Sequence, residues 1–407
     1  MRKTINIGDL GTIITGKTPP TTNKNYYGDY AVFIKPTDIS EQSKYTYETE
    51  EMYSKLAAEK YESSLIPKGA ICVPCIGTIG TKMTMTPCDC YTNQSINSII
   101  CNENYDNEYV YYLIKNFLPG LKAYNLGTAS GREYVSKSNF EKIELVAEQD
   151  QEIQKKIGII LSRYDSLIEN YQKQIKLLEE AAQRLYKEWF VDLRFPGHEN
   201  TNIIDGVPEG WEKKTIDDVT CKITTGLNPR KNFVLGKGSN YYVTIKNMAD
   251  NTLFLDDRCD RVDNEALEKI NKRSDLKIGD ILFSGIGTIG RVALVDIPTN
   301  NWNVSESVFT LRANDIVTKE FLYLMLLSPD MQNYCQSNAH GAAQKGIRMA
   351  DLKAYSFNLP PFGVIQKFTN LVTPTIKKVS SIRNQIRLLT EARDRLLPKL
   401  MSGEIAV

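Results

Sequence analysis

The chain repeats itself over almost its whole length, and this duplication limits its fold more than any other feature. The letters IGTIG stand at 76–80 and again at 286–290, which is 210 positions later. Further pairs keep the same order and nearly the same spacing, among them IITG at 13–16 with ITTG at 223–226, and QIKLLEEA at 174–181 with QIRLLTEA at 385–392. A period near 210 is too long for a solenoid repeat. The sequence therefore predicts two copies of one unit.

The first part of each copy, about 1–148 and 211–358, alternates short apolar runs with turn residues. Strands are predicted where β-branched and aromatic residues lie between Gly, Pro, Asn and Thr, at 31–34, 70–73, 96–100, 241–245, 281–283 and 308–311. A helix is predicted after the last of these strands in each copy, at 107–117 and 319–328. This pattern predicts an α+β globule in each copy.

The second part of each copy is predicted to be one long helix. Residues 152–190 hold no proline and a single glycine, Gly158. Apolar residues recur there at the spacing of a coiled-coil seam, at Ile153, Ile157, Ile160, Tyr164, Leu167, Tyr171, Leu178 and Leu185, with Gln174 and Ala181 in the gaps. The second seam runs through Ile365, Phe368, Val372, Val379, Ile382, Ile386, Leu389 and Leu396, with Thr375 and Arg393 in the gaps. Pro374 is predicted to kink or delay this second helix.

Two such helices in one chain are expected to pair with each other. The predicted fold is thus α+β, with two similar globules separated by two long helices. The helices pair as an antiparallel coiled coil, and a pseudo-two-fold relation joins the two copies. The alternative is that each helix packs on its own globule. A molecule of this kind suits a target with two separated half-sites, which DNA offers about one helical turn (~34 Å) apart.

The composition narrows the classes of function. Lys and Arg number 50 and Asp and Glu 49, for a net charge of +1, so any surface that binds DNA must be a local patch. No run of 18 apolar residues or signal peptide is found, so no membrane contact is expected. The eight cysteines are expected to be reduced thiols in the cytoplasm. His198 and His340, the two histidines, leave little material for histidine catalysis.

Several phrases carry a family resemblance, namely GDLGTIITGKTPPT at 8–21, LYKEWFVDLRFPG at 185–197, VPEGWEKKTIDDV at 207–219, LPPFGVIQKF at 359–368 and LLPKLMSGEI at 396–405. In this order, and with the duplication, they resemble the specificity subunit of type I restriction-modification systems over essentially the whole chain. The family often has Pro-Leu-Pro-Pro-x-x-Glu-Gln where each helix starts. Here the first copy keeps Glu148 and Gln149, and the second keeps Pro360 and Pro361. The helix starts are therefore expected to differ.

The resemblance implies target-recognition domains at 1–148 and 199–358, a first spacer helix at 149–198, and a second spacer helix with the C-terminal tail at 359–407. Each domain would read one half of a bipartite site in double-stranded DNA. The helices would set the spacing and bind two methyltransferase subunits that methylate adenine, with restriction or translocase subunits as further partners. S-adenosylmethionine is expected in the partner, and this chain is expected to be non-catalytic and without a cofactor. The alternative is a two-headed protein-binding scaffold without DNA recognition.

Two further motifs have ordinary explanations. CVPC at 72–75 and CDC at 88–90 could hold zinc, but Cys-x-Cys is a poor second half and the second copy has Leu282 and Gly285 at the matching positions. Buried free cysteines are therefore favoured over a metal. NLPPFG at 358–363 differs in spacing from the loop with which amino-methyltransferases hold their target amine, and a proline-rich stop before a helix explains it.

The residues that read DNA should lie in loops that share a place in both copies but differ in content. The candidates are polar or basic side chains of the kinds that contact base edges and phosphates: Lys17, Thr18, Lys35, Ser130 and Arg132 in the first copy, and Arg230, Lys231, Lys246, Gln344, Lys345 and Arg348 in the second. Lys82 and Arg291, which follow the two IGTIG loops, complete the set. The loops themselves are either turns that the fold requires or phosphate cradles. Trp189 and Phe190 are either buried or exposed for a partner.

Overall fold

The structure is a computed structural model that describes residues 2–77, 79–127, 133–249, 251–341 and 345–407. The chain forms two compact units. Unit 1 comprises Met1–Gln172 and Gln385–Val407, and unit 2 comprises Lys173–Asn384. The predicted bounds of the recognition domains and spacer helices stay predictions. Among the described residues, no helix combines the length and apolar character needed to cross a membrane.

The strands of unit 1 form three sheets. Its strands are β1 (Arg2–Asn6), β2 (Gly11–Thr15), β3 (Tyr27–Gly28), β4 (Ala31–Ile34), β5 (Met52–Tyr53), β6 (Ile71–Pro74), β7 (Thr84–Met85), β8 (Tyr91–Thr92), β9 (Ile96–Cys101) and β10 (Glu144–Glu148). Its helices are α1 (Lys55–Lys60), α2 (Asn107–Phe117), α3 (Lys137–Glu141) and the first part of α4 (Gln151–Phe190). The sheet orders are β1-β10, β2-β9-β6-β7 and β3-β5-β4-β8.

The core of unit 1 contains the sheet β2-β9-β6-β7, helix α2 and the start of α4. Alternate strand residues such as Ile71, Val73 and Ile99 join the buried face of α2 in one apolar cluster. Helix α4 passes very close to the start of α2 at Gly158. A Cβ added at Gly158 would lie 2.8 Å from the Cβ of Glu108. A side chain at this position would separate the two helices, which explains the single glycine in α4.

Unit 2 repeats this plan with additional strands. Its strands are β11 (Ile203–Ile204), β12 (Val207–Pro208), β13 (Glu212–Thr215), β14 (Thr220–Thr225), β15 (Asn240–Val243), β16 (Met248–Ala249), β17 (Thr252–Leu253), β18 (Asp260–Val262), β19 (Ile281–Ser284), β20 (Val292–Leu294), β21 (Trp302–Val304), β22 (Val308–Ala313) and β23 (Ser356–Leu359). Its helices are the last part of α4, then α5 (Asn264–Ser274), α6 (Lys319–Leu326), α7 (Pro329–Ser337), α8 (Met349–Lys353) and the first part of α9 (Phe362–Ser402).

The sheet topology confirms the duplication. The order β14-β22-β19-β20 in unit 2 matches β2-β9-β6-β7 in unit 1, and the pair β13-β23 matches β1-β10. A parallel pair also recurs, β4 with β8 and β15 with β21. The six predicted strands and two predicted helices lie within two residues of β4, β6, β9, β15, β19, β22, α2 and α6. The predicted segments do not include β1, β2, β10, β13, β14 and β23, which have four to six residues. The shorter strands were not predicted either, because two or three residues carry no measurable alternation.

The long helices pair in antiparallel directions within each unit. In unit 1 the start of α4 and the end of α9 share an apolar cluster that includes Ile157 and Leu400. In unit 2 the end of α4 and the start of α9 share another, in which the rings of Trp189 and Phe368 lie 5.7 Å apart. The predicted pairing is therefore correct. Trp189 is buried, as the first of its two alternatives predicted.

The seam predicted for α9 is correct in phase, but the seam predicted for α4 is displaced. On α9 most seam positions are buried, including Arg393. On α4 the predicted seam residue Leu167 is 39% exposed, whereas Gln154 and Asp165, two polar residues outside the predicted seam, are 0% and 4% exposed. The buried stripe of α4 contains polar side chains, so a pattern of apolar residues does not reveal it. The predicted delay at Pro374 is also wrong, since α9 is helical on both sides of it.

An ion pair joins the two helices in each unit, and it is buried in unit 1 and half-buried in unit 2. In unit 1 the guanidinium of Arg393 contacts the carboxylate of Asp165, which also accepts a hydrogen bond of 2.6 Å from the hydroxyl of Tyr112. In unit 2 Arg383 contacts Glu179 at 2.5 Å. Burial raises the pKa of Asp165, but the charges of Lys115 and Arg393 outweigh it and hold the pKa below its ordinary value. Asp165 therefore stays ionised between the helices.

Candidate nucleic-acid interface

Several loops lie side by side at one end of the strands in the main sheet of unit 1. Strand β2 ends at Thr15, β9 begins at Ile96 and β6 ends at Pro74, and the antiparallel register brings these three ends together. Segments 16–18, 75–77 and 92–95 adjoin these strand ends, and segment 133–135 pairs with 75–77. We call these four segments the loop edge of unit 1. Because β2, β9 and β6 fix its base, this edge is held by the core of the unit.

Backbone hydrogen bonds tie the four segments into one surface. The amide of Lys17 donates to the carbonyl of Thr92 over 2.9 Å, and the amide of Cys75 donates to the carbonyl of Ser95 over 2.7 Å. The amide of Gly77 donates to the carbonyl of Glu133 over 2.9 Å. The backbone positions are therefore set by bonds that do not depend on side-chain identity, so side chains can vary here without loss of the framework.

Unit 2 has a loop edge built in the same way, from the segments 226–228, 285–287, 304–307 and 345–347. The amide of Gly226 donates to the carbonyl of Ser305 over 3.2 Å, and the amide of Gly285 donates to that of Ser307 over 3.0 Å. The amide of Gly287 donates to the carbonyl of Lys345 over 2.8 Å. The last two contacts have direct counterparts in unit 1, and the first joins the same two segments through neighbouring residues, so the two loop edges share one backbone design.

Each loop edge is also tied to the body of its unit by a tyrosine. The hydroxyl of Tyr53, on β5, donates to the carbonyl of Lys17 over 2.6 Å. The hydroxyl of Tyr242, on β15, donates to the carbonyl of Leu227 over 2.7 Å. Lys17 and Leu227 occupy the same place in the repeat, although the two tyrosines come from different strands. Burial, and then the nearby charge of Glu306, raise the pKa of Tyr242, which therefore stays protonated as a donor.

The IGTIG loops are turns that the fold requires. Gly80 and Gly290 have φ values of 74° and 88°, a conformation that favours glycine. A Cβ at Gly290 would lie 2.1 Å from the side-chain oxygen of Gln332, and one at Gly80 would lie 3.1 Å from the carbonyl of Leu118. By contrast, Gly77 has a φ of 91° and would meet nothing within 4 Å. The second glycine of the motif is thus a packing residue, and the phosphate cradle at the first stays a prediction.

Several of the predicted DNA-binding residues lie on or beside the loop edges. Lys17 and Thr18 are exposed on the loop edge of unit 1. In unit 2 the exposed residues are Lys345, which lies on the edge, Arg230 and Lys231, which follow Asn228 in a short 3₁₀ helix, and Arg348, which precedes α8. Their roles in DNA contact stay predictions.

Other candidates make contacts that constrain them. The ammonium of Lys35 lies 2.8 Å from Glu50 and 3.3 Å from Glu51. Burial lowers the pKa of Lys35, but hydrogen bonds to these carboxylates outweigh it, and the pKa is raised. The guanidinium of Arg291 donates to the carbonyls of Ile245 and Met248, so it holds the loop after β15. A phosphate would have to compete with these partners.

Of the five remaining candidates, the structure describes two, and three lie outside the described residues. Lys82 is half-buried, and Lys246 is exposed in a short 3₁₀ helix. Ser130, Arg132 and Gln344 lie outside the described residues, as do parts of the two divergent loops that follow 127 and 341. The segments that border these loops, 133–135 and 345–347, belong to the loop edges.

Sequence reasoning missed two polar residues on the loop edges. Gln94 is exposed in the turn between β8 and β9, and Glu306 is half-buried in the turn between β21 and β22. Their partners are Thr18, which was a candidate, and Asn228, which was not. The repeat itself held the signal, because NQS at 93–95 aligns with SES at 305–307, 212 positions later. Neither turn contains a glycine or a basic residue, so neither has the usual composition of a DNA-binding loop.

Three of the five cysteines of the first copy are packing residues. Cys72, Cys75 and Cys90 are buried in the core, while Cys88 is exposed. Burial raises the pKa of the Cys72 and Cys75 thiols to about 12, so both are neutral at physiological pH. Among the described residues, no cluster of His, Cys, Asp and Glu has the arrangement of a metal site.

Comparison with known proteins decides the family. The model of the type I restriction modification DNA specificity domain matches the chain twice, over residues 2–180 and 208–386. The chain belongs to this family. It is 28% identical to the type I restriction enzyme MjaIX specificity subunit of Methanocaldococcus jannaschii, over 98% of this chain and 93% of that protein. It is 37% identical to the HindI specificity subunit of Haemophilus influenzae, over 39% of this chain and 35% of that protein.

A solved structure shares the fold. The type I restriction-modification system S subunit from M. genitalium aligns with a TM-score of 0.57 at 16% identity, covering 98% of this chain and 96% of that one. The family resemblance and the α+β fold with its internal repeat are thereby confirmed. The family also confirms a specificity role in place of a catalytic one, and it gives no support to a scaffold without DNA recognition.

Proposed function

We propose that each unit places its loop edge on one half of a split sequence in double-stranded DNA. The observation that carries this proposal is that two loop edges of one backbone design bear different side chains. A specificity subunit needs such an arrangement, because both units must dock on similar phosphate backbones while reading different bases. The two matches to a DNA specificity domain, one in each half of the chain, support it.

Local positive charge supplies the attraction to phosphate. The chain as a whole is nearly neutral, so it cannot be drawn to DNA by its net charge. Lys17 in unit 1 and Arg230, Lys231 and Lys345 in unit 2 are exposed on or beside the loop edges. Basic side chains at these places would position each unit on the backbone, and polar neighbours would read the bases. The proposed contact set also includes Thr18, Lys35, Lys82, Lys246, Arg291, Arg348 and the residues outside the described ranges, Ser130, Arg132 and Gln344.

The paired helices are the proposed ruler between the half-sites and the proposed binding surface for two methyltransferase subunits. The partner subunits would hold S-adenosylmethionine and methylate adenine, since chemistry on a base requires that the base leave the stack and enter a catalytic pocket. Restriction or translocase subunits would join the same complex. The proposed location is the cytoplasm, where the DNA and these partners are found.

The proposal is tested by long-read methylation mapping of cells with this gene intact and deleted. We expect that deletion abolishes methylation at one bipartite adenine motif and leaves other motifs unchanged. A second test uses the purified methyltransferase partner with and without this chain on duplexes that carry the motif. The proposal is wrong if the partner binds and methylates its site equally well without this chain.

A further inference from the structure

One turn in each loop edge has the same backbone structure in both units. In unit 1 the amide of Asn93 donates to the carbonyl of Ile34 over 3.1 Å, and in unit 2 the amide of Ser305 donates to that of Val243 over 2.8 Å. Each turn then closes on itself, since the amides of Ile96 and Val308 donate to the carbonyls of Asn93 and Ser305. Gln94 and Glu306 are therefore equivalent positions at the tips of equivalent turns.

Each of these side chains contacts the neighbouring loop through a second pair of equivalent positions. The hydroxyl of Thr18 donates to the amide oxygen of Gln94. The side-chain amide of Asn228 donates to the carboxylate of Glu306 over 2.7 Å. Thr18 and Asn228 lie 210 positions apart, at the same place in the repeat. The two units thus use one contact between the same two loops, and they fill it with different residues.

Hydrogen-bonding capacity remains on both side chains after these contacts. The amide nitrogen of Gln94 has no acceptor among the described residues, and its oxygen has a second lone pair. The carboxylate of Glu306 also accepts from the hydroxyl of Tyr242 over 3.1 Å, which leaves about two of its four lone-pair sites. Gln94 can therefore still donate and accept, whereas Glu306 can only accept.

The charge of Glu306 indicates what it faces. A carboxylate is repelled by phosphate, so an acidic side chain on a DNA-binding surface is favourable where it meets a base that donates a hydrogen bond. In the major groove cytosine presents the N4 amino donor, and Glu or Asp accepts from it. Arg230 and Lys231, which follow Asn228, are exposed and place positive charge beside the same loop.

We propose that Gln94 and Glu306 are base-reading residues, Gln94 for an adenine in the half-site of unit 1 and Glu306 for a cytosine in the half-site of unit 2. Gln pairs with adenine because its amide donates to N7 while its oxygen accepts from the N6 amino group. Thr18 and Asn228 hold the two side chains in position. This inference rests on the proposed function and names residues that determine its specificity.

The test exchanges the two side chains while keeping their contacts with Thr18 and Asn228. In Gln94→Glu the hydroxyl of Thr18 can still donate to a carboxylate oxygen, and in Glu306→Gln the amide of Asn228 can still donate to an amide oxygen. Both variants are therefore expected to fold, which thermal unfolding checks. Each is assembled with the methyltransferase partner and used to select duplexes from a library randomised at every position of the bipartite site. Glu265→Gln, an exposed exchange of the same kind on α5, is the control and should select the wild-type site.

We expect Gln94→Glu to change the preference from A·T toward C·G at a single position of one half-site, by about 10- to 100-fold. We expect Glu306→Gln to produce the opposite change at a single position of the other half-site. The inference is overturned if both variants select the wild-type site, or if affinity falls equally for all sequences with no change in preference. If the wild-type complex itself selects no bipartite site, the proposed function has failed before this inference is tested.

Discussion

The two loop edges differ in side chains while their backbones agree. Unit 1 has Lys17, Thr18 and Gln94 where unit 2 has Leu227, Asn228 and Glu306. Most of the bonds beneath them correspond, including a tyrosine hydroxyl that donates to the carbonyl of Lys17 in one unit and of Leu227 in the other. A duplicated domain can therefore acquire a new target by changing a few side chains, because its backbone hydrogen bonds do not depend on them.

The largest effect is expected where the shared backbone is broken. A Cβ at Gly226 would lie 1.6 Å from the carbonyl oxygen of Val304, and one at Gly16 would lie 2.1 Å from that of Thr92. Gly226→Ala and Gly16→Ala should each cost about 4 kcal/mol or more, because backbone atoms must move apart. Hydrogen exchange measured by mass spectrometry should show lost protection in the unit that carries the change.

The control for this prediction is Gly363→Ala near the start of α9. A Cβ there would meet nothing within 4 Å, so we expect no loss and a gain of up to about 1 kcal/mol. If Gly16→Ala and Gly226→Ala were as harmless as this control, the close contact between each glycine and the neighbouring carbonyl would not be required for the fold.

A smaller effect is expected from the helix pair. Asp165→Asn leaves the buried guanidinium of Arg393 without its ionic partner across the pair, at a cost of about 3 kcal/mol. Glu179→Gln in unit 2 should cost less, because the side chains of its pair are 28% and 19% exposed, against 5% and 9% for Asp165 and Arg393. Chemical denaturation compares the two variants, and an equal cost would contradict the difference in burial.

The Asp165 prediction has a pH dependence. The pKa of Asp165 in the folded chain is held below the usual 3.8, so its ionised form stabilises the fold above that value. This contribution is lost as the pH falls through the folded-state pKa. The difference in unfolding free energy between the wild type and Asp165→Asn should therefore shrink below about pH 4. A difference in unfolding free energy that grows on acidification would show that the ionised form of Asp165 does not stabilise the fold.

The smallest effect is expected at Lys17, which unit 2 replaces with Leu227. If Lys17 contacts a phosphate, Lys17→Ala should reduce the slope of log affinity against log salt concentration by about 1. Filter binding of the assembled complex across a range of salt concentrations measures this slope. Affinity should fall for all sequences without a change of motif. Lys3→Ala on β1 is the matched control, and an equal change of slope there would remove the special role of Lys17.

The repeat and the larger elements could be predicted from the sequence because they rest on apolar periodicity. The α9 seam was predicted correctly, even at Arg393, because its neighbours are apolar. The α4 seam was not, because Gln154 and Asp165 are buried through hydrogen bonds that periodicity does not record. At the site, the places of Lys17 and Lys345 were predicted, but Gln94 was missed. Gln94 is distinguished by its hydrogen bond with Thr18, which lies 76 residues away in sequence, so the sequence around Gln94 does not reveal it.

The central claim is that each unit specifies its own half-site. The most direct test replaces residues 1–148 by a second copy of 211–358, keeps both helices, and maps adenine methylation in cells that lack the native gene. The matched control is the reciprocal chain, in which 1–148 replaces 211–358. We predict that each chain that assembles with its partner specifies one half-site twice and no longer recognises the other. A chain that still methylates the original pair of different half-sites would contradict the account.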